Sequence, residues 1–216
     1  MARDKLSQAL TAELVGTFAL VFLGAGAGAV GAGGLIGVAF AHGFAVLAFA
    51  YTYGHLSGTH VNPAVTVALW AAKKIDARRA FSYVVFQAIG GVAGALALCW
   101  LFGGAENGLG RLALAPGVSS AQGFALEAIL AFFLVTVVCH AAVAGKAGNL
   151  AGVAIGVTLV ANILMGGPLT GAGFNPARAL GPAVATGDFT NLWIYLVAPV
   201  VGGVAASLLH RHVTEA

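Results

Sequence analysis

The sequence predicts an all-α membrane protein of six transmembrane helices plus two half-helices, arranged as an inverted repeat. Three observations predict it. The first is composition: of 216 residues, 60% are hydrophobic and only 8% charged, with a mean hydropathy of +0.96, whereas soluble domains carry roughly 25% charged residues. The second is charge spacing, which leaves apolar stretches of the length a crossing needs, about 20 residues. The third is a duplicated run, Asn62-Pro63-Ala64 and Asn175-Pro176-Ala177. Six crossings consume nearly the whole chain, so residues 1–216 form a single membrane domain whose surroundings are the lipid bilayer. A soluble enzyme is excluded, and a net charge of +3 without a basic face excludes nucleic acid as a partner.

The elements follow in order. Arg3, Asp4, Lys5 and Glu13 open the chain, and no further charge occurs until Lys73, Lys74, Asp76, Arg78 and Arg79. That gap holds two spans, expected over residues 10–30 and 36–53, and a third follows over 77–102. After a Gly-rich outer connection over 107–120, three more are expected over 122–142, 150–165 and 192–209. The opening also has the order of a signal peptide, with small residues at Gly24-Ala25-Gly26-Ala27-Gly28. A counterpart later in the chain favours a retained first span. With a cytoplasmic N-terminus, Arg3, Lys5, the 73–79 cluster, Lys146 and Arg211 fall inside, leaving Arg111 and Arg178 elsewhere. This satisfies the positive-inside rule and puts both termini in the cytoplasm of a multi-pass protein. Short termini and loops lean towards a prokaryotic cell (inner) membrane. Cys99 and Cys139 fall in different spans as buried thiols, with neither a disulfide framework nor a metal site implied.

The two halves are related. Residues 54–64 match residues 167–177 at a constant offset of 113 (175 minus 62), and Glu13 matches Glu127 at an offset of 114. The internal repeats run over 6–104 and 122–212. Each half holds three spans, and an odd number of crossings forces two parallel copies into opposite orientations. Glycines should mark the close helix contacts: Gly90, Gly91 and Gly94 in the third span, Gly202 and Gly203 in the sixth.

Between the second and third span of each half, a turn-rich stretch (55–60 and 168–174) precedes one too short to cross (62–72 and 175–185). Asn followed by Pro starts a helix, because Asn caps and Pro lacks the N–H that the first turn would leave unpaired. Ten residues reach only about half of a 30 Å core. In inverted halves the two N-termini therefore meet near the midplane, each bringing about +0.5 elementary charge. Irregular backbone at that depth is tolerated only when buried in protein or lining a polar path. Gly58, Thr59, His60, Gly171 and Gly173 would line it with backbone carbonyls, while Asn62 and Asn175 offer donors. Such a path passes neutral polar solutes and opposes cations and protons. Arg178, charged at membrane depth, is expensive unless it faces water or a pore.

The paired Asn-Pro-Ala motifs, with Ser57-Gly58-Thr59-His60-Val61 before the first and Arg178 directly after the second, resemble the aquaporin or major intrinsic protein family over nearly the whole chain. The resemblance implies an aquaporin-like right-handed six-helix bundle, a pore in each protomer, a homotetramer, and Glu13 and Glu127 as buried acids supporting the half-helix loops. It places the selectivity filter on His42 (20 before Asn62), Ile163 (12 before Asn175), Ala172 (3 before Asn175) and Arg178 (3 after it). That set, with the run from Ala161 to Pro168, is most similar to the filter of plant tonoplast intrinsic proteins. It implies passage of water and small neutral solutes such as ammonia, hydrogen peroxide or urea, with no cofactor, no metal and no enzymatic activity. Ala179, where glycerol facilitators carry Asp, argues against glycerol, and Leu196, where water-type members carry Trp, keeps it as an alternative. A secondary transporter with inverted repeats is the rival from another class. Its coupling-ion site would have to use Glu13 and Glu127.

Overall fold

Apolar runs crossing hydrocarbon can satisfy their backbone within one segment only as helices. The computed structural model, which describes residues 2–214, takes that solution throughout. Met1, Glu215 and Ala216, included in the 1–216 domain reading, lie outside the described residues, as does the Arg3 side chain. In chain order the helices are α1 (Ala2–Ala19, continued by a π-helical turn Leu20–Ala25 and by Gly26–Ala29), α2 (Gly34–Ser57), α3 (Pro63–Ala71), α4 (Ala77–Leu101), α5 (Ser120–Val137, continued by a π-helical turn Val138–Val143), α6 (Ala151–Thr170), α7 (Pro176–Thr186) and α8 (Leu192–Thr214). Six are long and apolar enough to cross a membrane; α3 and α7 are the two half-helices.

Several boundaries differ from the sequence expectation, each for a local reason. Helices α2 and α6 run on to Ser57 and Thr170, through residues 55–57 and 168–170 that were expected to be loop. Each stops at a glycine in the left-handed region, where only glycine is unstrained. Gly58 (φ 86°) donates its N–H to the Gly54 carbonyl at 2.9 Å, and Gly171 (φ 82°) to Gly167 at 3.0 Å. The glycine ends the helix, and the polar residues before it do not. Consequently each irregular loop shrinks to the few residues between that glycine and the capping Asn. Helix α8 continues beyond 209 to Thr214.

Packing follows the repeat. Helix α1 lies on α4 and α5 on α8, while α2 meets α6 across the middle. The half-helices are exchanged: α3 of the first half packs on α8 of the second, and α7 of the second on α4 of the first. Glycine permits each approach. A Cβ on Gly90 would strike the Leu14 carbonyl oxygen of α1, and one on Gly202 the Ala128 carbonyl of α5. A Cβ on Gly91 would meet Ala177 O, and one on Gly203 would lie 3.2 Å from Ala64 O, so the same glycine pair seats the start of each half-helix. Gly43 and Gly156 face each other's carbonyl oxygens, at 2.7 and 2.8 Å from the would-be Cβ atoms.

Candidate functional site

The loops entering the half-helices are shaped by one carboxylate each. Glu13 Oε1 accepts from Ser57 Oγ at 2.6 Å and from the His60 N–H at 2.9 Å, while Oε2 accepts from the Val61 N–H at 2.7 Å and Gln87 Nε2 at 2.6 Å. Glu127 repeats the pattern: Oε1 accepts from Thr170 Oγ1 at 2.5 Å and the Gly173 N–H at 3.0 Å, and Oε2 from the Phe174 N–H at 2.5 Å. Alternate loop residues have positive φ, Thr59 (48°) and Val61 (42°) in one loop, Ala172 (50°) and Phe174 (28°) in the other. Alternating handedness points successive N–H groups to one side, as an anion-binding nest. Each nest closes on a buried glutamate, and Gly58, Thr59, His60, Ala172 and Gly173 line the adjoining cavity. Two further clamps complete the loops: Tyr83 Oη donates to Ser57 O at 3.0 Å and Tyr195 Oη to Thr170 O at 2.7 Å.

The half-helices meet through their caps. Asn62 Oδ1 accepts from the Ala64 N–H at 2.9 Å, and Asn175 Oδ1 from the N–H groups of Ala177 and Arg178 at 3.0 and 3.2 Å. Each amide nitrogen then crosses to the other half: Asn62 Nδ2 donates to Phe174 O at 2.9 Å and Asn175 Nδ2 to Val61 O at 2.8 Å. Two positive helix ends are thereby fixed against each other. One hydrogen of each amide is used in this exchange, and both Asn residues line the cavity. Pro63, Ala64, Pro176 and Ala177 are buried behind them as the first residues of α3 and α7.

Further towards the end of the bundle that carries the 107–120 connection, four side chains come together. His42, Ile163, Ala172 and Arg178 all border the same cavity, of about 420 Å³, that contains the two Asn residues. Ile163 and Arg178 also border a second cavity of about 350 Å³, lined by Gly110, Arg111 and Gly171, so they stand at the junction between the two. Gly171 belongs to this outer chamber and is absent from the inner cavity's lining. His42 Nδ1 lies 2.9 Å from the Val38 carbonyl, which can only accept, so Nδ1 carries the hydrogen and Nε2 of the neutral ring is an acceptor. Nε2 is buried with no protein partner among the described residues, and the same holds for Arg178 Nε. Beside the apolar side chains of Ile163 and Ala172, the wall thus holds one buried acceptor and one buried donor that no protein group among the described residues satisfies. Farther out, Arg111 pairs with Asp188 at 3.1 Å, and the Thr190 N–H, donating at 2.9 Å, holds the Asp188 carboxyl below the usual carboxylate range.

Some contributors were not legible in the chain. Arg178 Nη1 donates to the Gly110 carbonyl at 2.7 Å, so the outer connection clamps the arginine, with Leu109 fully buried as its anchor. Asn162 Nδ2 donates to Leu130 O at 2.9 Å, fixing α6 next to Ile163. A polar residue in an apolar span was the signal available for Asn162; nothing marked Gly110, because every residue has a carbonyl. Among the described residues no group of three or more His, Cys, Asp or Glu could hold a metal ion.

Residues 1–210 match the sequence pattern of the family described as Major intrinsic protein. The chain belongs to that family. Within it, the chain is 41% identical over 210 residues to aquaporin NIP1-3 of Oryza sativa subsp. japonica, covering 94% of this chain and 72% of that one. It is 40% identical over 210 residues to nodulin-26 of Glycine max, covering 94% and 77%. The fold of this major intrinsic protein superposes on the X-ray structure of the aquaglyceroporin from Plasmodium falciparum with a TM-score of 0.87 and 25% identity, covering 97% of this chain and 98% of the other. These relatives correct one expectation. The filter similarity to plant tonoplast intrinsic proteins is not borne out, since the relatives found are nodulin-type. Four filter positions are a small sample, whereas identity over some 210 residues samples every helix contact. A family of channels also leaves no place for enzymatic activity.

Proposed function

We propose that His42, Ile163, Ala172 and Arg178 form the selectivity filter of a passive channel for water and small neutral solutes, with Asn62 and Asn175 as its central barrier. The observation that carries this reading is one cavity that both Asn residues and all four filter residues line, with His42 Nε2 and Arg178 Nε left without a protein partner among the described residues. Water, ammonia, hydrogen peroxide and urea each carry both donors and acceptors, which suits a wall whose polar groups are an imidazole and a guanidinium. A bare cation meets a fixed guanidinium and then two helix N-termini. Glu13 and Glu127, each taken up by loop donors, act as loop supports. That leaves the transporter alternative without a coupling-ion carboxylate.

Glycerol is the second reading, favoured by one observation: Ile163 and Ala172 give the filter apolar walls that suit a carbon backbone. The pore works once per protomer in a homotetramer, with both termini cytoplasmic. Supporting an embedded assembly, Phe81 and Trp100 present 72% and 81% of their surfaces on the outside of one protomer. Stopped-flow measurements on proteoliposomes would report rapid, non-saturating flux of water, ammonia and urea with low activation energy. Saturating flux, or proton conduction alongside water, would overturn the proposal. Glycerol flux comparable to that of urea would select the second reading.

A further inference from the structure

We infer that Gly24, in the π-helical turn of α1, is a positioning residue that determines specificity: it sets how far the His42 ring stands into the constriction, and hence the size limit of the solutes that pass. The inference rests on the reading of His42 as a filter wall. Gly24 lies against the face of the ring. A Cβ built on it would stand 2.5 Å from His42 Cδ2, 2.6 Å from Cγ and 2.7 Å from Nε2, whereas carbon atoms in contact are separated by roughly 3.5–4 Å. The whole ring would therefore have to move by about 1 Å. Because Cγ is among the atoms struck, rotation about the Cβ–Cγ bond gives no relief, and the ring must swing about Cα–Cβ against its 2.9 Å hydrogen bond from Nδ1 to Val38 O. The space open to it is the cavity that Arg178 and Ile163 border on other sides.

The element explains why a glycine can hold this place. Leu20–Ala25 is one π-helical turn inside an otherwise α-helical span, and such turns re-aim the residues they contain and recur at functional sites. Here the turn brings Leu20 to the cavity wall and Gly24 beneath His42, with both buried. Gly24 needs no positive φ; it is required for the room it leaves.

The test compares wild type, Gly24→Ala, His42→Ala and the double variant in proteoliposomes, reading the ratio of urea to water permeability per reconstituted channel. Gly24→Ala should lower that ratio about tenfold, because overpacking displaces the ring into the lumen. His42→Ala should raise it, and the double variant should behave as His42→Ala, since the methyl then meets no ring. A Gly24→Ala channel with the wild-type ratio, beside an altered His42→Ala channel, overturns the role of Gly24 alone. A silent His42→Ala overturns the filter reading and this inference together. Should Gly24→Ala fail to assemble, removal of the ring in the double variant should restore assembly. A double variant that still fails to assemble overturns the inference.

Discussion

At the scale of the residue, each half depends on one carboxylate and the proposed filter on one guanidinium. Glu13 offers only acceptors, and every polar atom it touches is a donor: Ser57 Oγ, the N–H groups of His60 and Val61, and Gln87 Nε2. In Glu13→Gln an NH2 faces at least one of those donors, leaving buried groups unpaired at a cost of about 3 kcal/mol. The unfolding temperature in detergent should fall and water permeability should drop with it. An unchanged melting curve would mean the loop holds its shape without the carboxylate. Arg178→Val removes the fixed charge and widens the junction. Water and urea flux should persist while protons or small cations begin to leak, which a pH-sensitive dye inside proteoliposomes would register. A proton-tight Arg178→Val channel would place the whole barrier on the two helix N-termini.

At the scale of the element, the spans are held by backbone-to-backbone approach. Gly43 and Gly156 place α2 against α6 with each would-be Cβ under 3 Å from the opposite carbonyl oxygen, at 2.7 and 2.8 Å. Unlike a side chain, a helical carbonyl cannot rotate away, so Gly43→Ala or Gly156→Ala should destabilise the protein by roughly 1–3 kcal/mol. Thermal unfolding followed by size-exclusion chromatography measures this. The double substitution should cost less than the sum of the singles, because both methyls are relieved by the same separation of α2 from α6. Strictly additive losses would mean that the helices do not part as rigid bodies. The half-helices draw on the same device through Gly91 and Gly203, which seat α7 and α3 on spans of the opposite half.

At the scale of the whole molecule, the exchange of half-helices between halves makes the pore a property of the complete chain. Asn62 is held by the second half at Phe174 O and Asn175 by the first at Val61 O, so neither half completes the Asn pair alone. Reactive groups are kept out of the path. Cys139 is buried in the π-helical turn of α5 and Cys99 lies partly buried on α4, and the cavity lining includes neither. Mercurials should therefore reduce water flux only weakly. Strong block reversed by thiol reagents, and abolished by Cys139→Ser, would show that the turn opens its thiol to the lumen.

Much was legible in the chain because it is local or repeated. The charge gaps set the number of spans, Asn-Pro marked where each half-helix starts, and the constant offset imposed inversion. Inversion in turn required the Asn pair, the paired loops and the two glutamates to occupy equivalent places. By itself the sequence thus determined the six spans, the two half-helices and the meeting of their N-termini. Tertiary structure alone decided that the Gly110 carbonyl holds Arg178, that Gly24 lies under the His42 ring, and that each Asn reaches across to the other half's loop. It also decided that His42 Nε2 and Arg178 Nε are left without a protein partner among the described residues. The physical reason is that a carbonyl oxygen is the same at every position and a glycine's missing side chain matters only against what approaches it. Such roles belong to contacts between segments far apart in the chain, and they exist only once the helices are packed.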